Sequence, residues 1–461
     1  MRYLSLSLVM LLLLFAPWAF GCSETWSVLI LKLGVGASLL LTILRISTAS
    51  AHEISRPIWS WQWGVPLAAL GVFLLLQAWN PSHEFQVAGS PLHPRPFIEW
   101  LPSSVHASAT WETIGLWSAY AALFWLARTL FPATSRWKLL SVTLVVSGFS
   151  LALFAIAQYL SGTHKIFWVR PIHDHLGQNW NGFFGTFVNP NNYAAYVNLL
   201  IPLALSLGRQ AQRMQEMPEV KSHPGYLFYF MAAVMIVSVF LSRSRAGIVI
   251  CVALVVGWIS WQYLHNAKKG RQGEKTLLIG VLALVLIGAI SLWYLGFEPV
   301  RKELATLRNL PDEMKGSRTV SYIATLDMFY DRWLYGTGAG TFSYAFPFYK
   351  PASLGENYYR YLHNDWLQTL AELGTLGTAL LAAFVGGVIW SWHRLKPLTK
   401  KNHPDHASAS MRRRLRGAYI LSVFGVLLHA IIDFPLQIPS IATLAVVFFA
   451  LATTHEKENP I

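Results

Sequence analysis

Apolar residues in this chain fall in long unbroken blocks, not in the alternating or one-face patterns of water-soluble strands and helices. The blocks lie near residues 4–20, 27–44, 63–79, 113–130, 139–160, 193–208, 225–242, 246–264, 276–295, 374–392, 417–433 and 440–453. Each approaches the roughly 20 residues that a helix needs to cross a bilayer. The pattern therefore predicts about 12 transmembrane helices, the second of them carrying Lys32 and the last one short. Three of the polar segments between blocks, 80–112, 161–192 and 296–373, are too long for turns. Within the last, the spacing predicts an amphipathic helix over Thr319 to Arg332.

Composition agrees. Of 461 residues, 54% are hydrophobic and 13% charged, and mean hydropathy is +0.41. A soluble chain of this length carries roughly a quarter charged residues, so a soluble multi-domain enzyme is excluded and an all-α, polytopic integral membrane protein is expected.

The net charge of +14 would fit a nucleic-acid partner, but its distribution points to the bilayer. Arg209, Arg213 and Lys221, then Lys268, Lys269, Arg271 and Lys275, then Arg394, Lys396, Lys400, Lys401 and Arg412 to Arg416 all fall on one side of the predicted spans. The short loops on the other side hold few cations, such as Arg95, Lys165 and Arg170. The positive-inside rule then puts both termini in the cytoplasm and the three long segments outside, and no nucleic acid is expected. Two cysteines, Cys22 and Cys251, exclude a disulfide framework. Cys22 follows Gly21 as a lipoprotein cysteine would, but Phe20 is too bulky for the small-residue pattern before such a cleavage site.

The chemistry-bearing residues gather outside. Long translocated segments escape the charge rule, so Arg301, Lys302, Arg308, Lys315, Arg318, Arg332, Lys350 and Arg360 need either an anionic ligand or pairing with local carboxylates such as Glu298, Glu303, Asp327 and Asp331. The stretch Tyr361 to Gly374 reads as a loop entering a helix, with Asn364 or Asp365 as cap and Asp365, Gln368 and Glu372 on one face. His363 then sits at a helix N-terminus, where the dipole disfavours imidazolium and leaves a ring that can take a proton or act as a structural partner.

Arg243 and Arg245 stand at the outer membrane boundary, suited to snorkelling or to phosphate binding. Tyr335 to Phe342 is Gly-rich but lacks the Lys and strand-to-helix context of a phosphate loop, and reads as a flexible turn. Asn189 and Asn192 suit helix capping or contact with a polar ligand. His173-Asp174-His175 has no compact further ligand set, so no metal is expected. His429 and Asp433, four apart, read as a local pair fixing the turn before Pro435.

Taken in order, Gly185-Thr186-Phe187 to Asn192, Ser244-Arg245-Ala246-Gly247, Arg318, Gly336 to Phe342, His363-Asn364-Asp365-Trp366-Leu367-Gln368 with Glu372-Leu373-Gly374, and His429 to Pro439 resemble the O-antigen ligase and polymerase superfamily of bacterial glycan-assembly membrane proteins. The resemblance extends from about residue 110 onward; the first hundred residues match only in hydropathy. It implies four regions: N-terminal helices and first outside loop (1–112), a central bundle (113–295), a large periplasmic loop with short helices (296–373), and C-terminal helices with a short cytoplasmic tail (374–461).

It further implies a glycosyltransferase of the inner membrane with a periplasmic site and no cofactor or metal. A glycan on undecaprenyl pyrophosphate would pass, with inversion, to a hydroxyl of a glycan or lipid A core acceptor. His363 would be catalytic, Arg245 and Arg318 with Arg243 would hold the donor pyrophosphate, and Asn189, Asn192, Asn364, Gln368 and Glu372 would support the site or touch substrate. The signatures recur in ligases, polymerases and protein glycosyltransferases, so they name the reaction type and not the acceptor. The rival from another class is a transporter or flippase of lipid-linked oligosaccharide, for which twelve spans with both ends inside is also a common layout.

Overall fold

The computed structural model describes residues 1–48, 60–85, 92–163, 165–171, 182–215, 224–266, 313–355, 358–394 and 406–454. Their helices are α1 (Arg2–Trp18), α2 (Thr25–Thr48), α3 (Trp61–Trp79), α4 (Ala107–Leu130), α5 (Thr134–Leu160), α6 (Pro190–Gln215), α7 (Pro224–Leu241), α8 (Arg245–Asn266), α9 (Glu313–Asp331), α10 (Phe342–Ala345), α11 (Asp365–Arg394), α12 (His406–His429) and α13 (Pro439–Ala452).

Every apolar block is a helix except 276–295, which lies outside the described residues. By length and composition, five helices among the described residues can cross a membrane: Thr25–Thr48, Trp61–Trp79, Thr134–Leu160, Arg245–Gln262 and Asp365–Arg394. Shorter apolar helices cover Arg2–Trp18, Gly225–Leu241 and Pro439–Ala452. Eleven of the twelve expected blocks are thus helices among the described residues, five of them with span character by length and composition, while α4, α6 and α12 carry charged groups within their length, such as Glu112, Arg209 and Arg412. The chain is an all-α membrane protein with one departure. Two short antiparallel strand pairs, His83–Phe85 with Leu92–Pro94 and Lys165–Ile166 with Arg170–Pro171, lie in the loops after α3 and α5.

At the centre stands α6, whose residues from Tyr193 to Leu205 are almost without exposure on any face. A helix apolar all round belongs in the interior, and α5, α7, α8 and α12 surround it. Three arginines near the predicted cytoplasmic side also meet helix ends. Arg412 Nη1 donates to Pro132 O at 2.9 Å, Arg416 Nη2 to Thr454 O at 2.7 Å and Arg128 Nη1 to Thr453 O at 3.2 Å. These guanidinium groups meet carbonyls just beyond the C-terminal ends of α4 and α13, where helix dipoles favour positive charge.

At the other end, a separate apolar cluster of Val105, Ala324, Met328, Phe342, Phe346, Leu354 and Leu362 holds α9 and the loop after it against the start of α11. The amphipathic helix expected from Thr319 is α9, beginning six residues earlier at Glu313. The run of α11 is broken at Gly374 (φ 64, ψ −173), so residues 365–373 form a short helix of their own ahead of the long apolar segment. That break, absent from the sequence pattern, sets the geometry of the site.

Candidate active site

Asn364 caps the short helix 365–373, its Oδ1 accepting the Leu367 N–H at 3.0 Å. The preceding residue, His363, is thereby fixed at the helix mouth. Its Nδ1 lies 2.9 Å from Oδ1 of Asp433. Residues so distant in sequence meet because two loops are stitched together: Asp365 N donates to Ala430 O at 2.9 Å, and Leu436 N donates to Asp365 Oδ2 at 2.8 Å. The expected local pairing of His429 with Asp433 is corrected here. Asp433 lies past the end of α12, its carboxylate turns to His363, and both ring nitrogens of His429 are without a hydrogen-bond partner among the described residues.

Asp433 is almost fully buried, with 1% of its side chain exposed, while His363 keeps 33%. Burial alone pushes the Asp433 carboxyl up. The His363 hydrogen bond and charge, the nearby His429 and the Phe434 N–H together outweigh it and hold the group below its ordinary 3.8. An ionised carboxylate only accepts, so Nδ1 of His363 carries a proton and, in the neutral ring, Nε2 is the nitrogen left with the lone pair. Two further contacts hold the ring and its backbone. Phe434 lies 5.1 Å away, centroid to centroid, and the Tyr322 hydroxyl on α9 donates to the His363 carbonyl.

The Gly-rich stretch is not a flexible turn. The Glu372 carboxylate accepts Gly340 N at 2.8 Å, Phe342 N at 3.1 Å and Gln368 Nε2 at 3.1 Å. Gln368 in turn accepts the Leu362 N–H at 2.9 Å, beside His363. The amides that a phosphate loop would offer its ligand are therefore occupied by a carboxylate of this chain. Gly336 needs its hydrogen twice over: φ is +72°, and a Cβ there would lie 2.2 Å from the Glu372 carbonyl oxygen. Gln77 at the end of α3 completes the clasp, donating to Tyr335 O at 2.7 Å and accepting from Ala339 N at 3.3 Å.

A cavity of about 2310 Å³ opens beside these groups. His363, Gln368, Glu372, Asn189 and Asn192 line it, so the structure brings these expected residues together. Asn189 also caps α6, accepting Asn191 N at 2.8 Å. Arg243, Arg245 and Arg318 are not part of the lining; its cations are Lys32, Arg170 and Arg360. Arg245 opens α8 half-buried. Arg243 occupies a left-handed turn (φ 58), and its Nη2 donates to the Tyr159 hydroxyl at 2.9 Å. Arg318 is exposed on α9, one turn before Tyr322, and its charge reaches that phenol.

Sequence reasoning missed Asp433 as the partner of His363, as well as Tyr322 and Gln77, and named Arg360 only among the loop cations in need of an anionic ligand or a carboxylate. Of the three missed, only Asp433 had a signal, and its spacing from His429 pointed to the wrong partner. Among the described residues no group of three His, Cys, Asp or Glu side chains could hold a metal ion; His173-Asp174-His175 lies outside those residues.

No curated protein matches the chain. A family model described as O-antigen ligase matches residues 230–382, from α7 through the Ser244-Arg245 turn and the Gly-rich loop into α11, with His363 inside. Over that stretch the chain is similar to O-antigen ligases.

Proposed function

We propose that this protein is an inner-membrane glycosyltransferase that moves a glycan from undecaprenyl pyrophosphate to an acceptor hydroxyl at the periplasmic face, with both termini cytoplasmic. The observation that carries the reading is the His363–Asp433 pair at the edge of the cavity. The acceptor oxygen attacks the anomeric carbon while Nε2 of His363 takes its proton. The new C–O bond forms as the bond to the pyrophosphate oxygen breaks, and the electron pair leaves with undecaprenyl pyrophosphate, inverting the anomeric centre. Asp433 holds the tautomer and stabilises the imidazolium that forms.

Charge developing on the leaving pyrophosphate calls for cations, and guanidinium forks suit it. We assign this role to Arg318 and Arg245, with Arg243 as a lesser contributor. Arg318 is favoured by its place one helical turn from Tyr322, which holds the His363 backbone. Asn364, Gln368 and Glu372 support the site by fixing the loop around His363, and Asn189 and Asn192 face the cavity where substrate polar groups would lie. The domain division at 112, 295 and 373 goes with this reading, in which the described residues 313–355 and 358–373 roof the site.

Lipid flipping draws on one observation. The cavity lining continues from His363 to Trp392 and Thr453 at the far ends of α11 and α13. A reconstituted system given undecaprenyl-pyrophosphate glycan and candidate acceptors separates the two. New covalent product, lost in His363→Ala protein, supports transfer; movement of intact glycolipid between leaflets with no product supports flipping.

A further inference from the structure

The sequence leaves two readings for the cations of the last outer loop, an anionic ligand or a local carboxylate. At Arg360 the described residues offer no carboxylate partner: it forms no ion pair among them. Glu372 acts electrostatically on the neighbouring Tyr361, but its oxygens are taken by the Gly340 and Phe342 amides and by Gln368. Glu112 on α4 reaches Tyr344 and does not pair with Arg360. An exposed guanidinium can be satisfied by water alone, yet this one is anchored. It donates to the Tyr361 hydroxyl and stands 5.4 Å from the centre of the Tyr361 ring.

That anchoring ties the cation to the site already described. Tyr361 lies 5.1 Å from Phe434, ring centre to ring centre, and Phe434 lies 5.1 Å from His363. Two stacked rings thus separate the guanidinium from the imidazole, and all four residues line the same cavity. The surroundings of Arg360 are aromatic. Tyr344 and Tyr361 each lie within electrostatic reach of Arg360 and of Tyr358, and Tyr344 and Tyr358 line the cavity as well. Tyr344 is backed by the His106 ring at 4.2 Å, while Tyr358 keeps 62% of its surface exposed. Phenol rings offer a flat apolar face and a polar tip, which matches the C–H face and hydroxyl edge of a sugar ring.

We propose that the loop 358–361 is a glycan subsite that takes an acidic sugar, with the Arg360 guanidinium forked on the sugar carboxylate and Tyr358 and Tyr344 against the ring. A guanidinium matches a planar carboxylate with two parallel hydrogen bonds, which an ammonium cannot reproduce. The subsite deepens the transfer reading and rests on it for one point, that the bound sugar belongs to the glycan being transferred or extended. Pyrophosphate fits the same fork and is the competing occupant; the aromatic faces beside Arg360 favour the sugar.

The test uses full-length protein in phosphatidylcholine nanodiscs, with affinities read by ligand-observed NMR titration. The probes are trigalacturonic acid and sialyllactose, each beside its methyl ester, which keeps the sugar and removes the charge. Wild type should bind at least one acid about tenfold or more tighter than its ester. Arg360→Gln should abolish that preference and leave ester binding unchanged, and Arg360→Lys should restore only part of it. Tyr358→Ala should weaken acid and ester by the same factor, because stacking on the ring does not depend on the charge.

A wild type with no preference for either acid, or an Arg360→Gln protein that keeps the full preference, overturns the proposal. Inorganic pyrophosphate supplies the remaining arm. If it binds wild type tighter than either acid and loses that binding in Arg360→Gln, the cation serves the leaving group and the acidic-sugar assignment fails. Because none of these readouts needs glycan transfer, failure here leaves the transferase reading standing, and failure of transfer leaves the carbohydrate subsite standing.

Discussion

His363 and Asp433, 70 residues apart in sequence, are joined by a 2.9 Å hydrogen bond, and the carboxylate is buried while the imidazole reaches the cavity. A buried carboxylate behind a half-exposed imidazole fixes which nitrogen faces the substrate. Replacing Asp433 by Asn keeps the shape but removes the pure acceptor, so the ring is free to take the other tautomer. Transfer by Asp433→Asn should fall by about a hundredfold to ten-thousandfold, with little change in the KM for donor. An unchanged rate would separate Asp433 from catalysis.

The same carboxylate links stability to acid. Its folded value lies below the unfolded 3.8, so the stabilisation is fully present above 3.8 and is lost as pH falls through the lower folded value. The Tm difference between wild type and Asp433→Asn should be constant above about pH 5 and shrink toward zero below the ordinary carboxylate range. A difference that grew on acidification would contradict a depressed value.

Glu372 fills the amide cradle of the Gly-rich loop. Glu372→Ala leaves the Gly340 and Phe342 amides and the Gln368 side chain without their acceptor, and should cost about 3 kcal/mol of stability. Glu372→Gln retains an accepting oxygen and should cost less. Thermal unfolding of detergent-solubilised protein measures both. If the two variants were equally stable to wild type, the cradle would have no structural weight.

Two glycines of the same backbone type should respond differently to alanine. At Gly162 (φ +64) no atom lies within 4 Å of the added Cβ, so only the left-handed backbone cost of about 1–2 kcal/mol applies. At Gly336 the Cβ would meet the Glu372 carbonyl at 2.2 Å, and the loop must move. Gly336→Ala should therefore be the more destabilised of the two, and should also lose transfer, since the loop it displaces touches the helix that carries Gln368. Equal unfolding temperatures would argue against a rigid loop.

Tyr322→Phe removes the hydroxyl that holds the His363 carbonyl. One hydrogen bond of this kind contributes about 1 kcal/mol, so transfer should drop several-fold, with Arg318 and the fold intact. A loss as large as that of Asp433→Asn would mean that Tyr322 touches substrate.

The helices could be read from sequence because unbroken apolar blocks have one cheap solution in a bilayer. His363 was visible because Asn364 and Asp365 announce a helix start. Asp433 was visible as a residue but not as a partner: spacing suggests His429, and only the end of α12 at His429 and the stitching of Asp365 to Ala430 and Leu436 turn it to His363. The Gly-rich loop read as flexible because its rigidity is supplied by Glu372, more than thirty residues on. The strand pairs in the loops after α3 and α5 are two or three residues long, too short to leave a period. Arg170 and Arg360 reach the cavity through loop geometry that no spacing encodes.

The most direct measurement is single-turnover transfer in liposomes loaded with undecaprenyl-pyrophosphate glycan and candidate acceptors, comparing wild type with His363→Ala protein of equal stability and donor affinity. Proton removal by His363 predicts product from wild type and a loss of about a hundredfold or more in the variant. Product formed at the wild-type rate without the imidazole would remove His363, and the pair it makes with Asp433, from the chemistry.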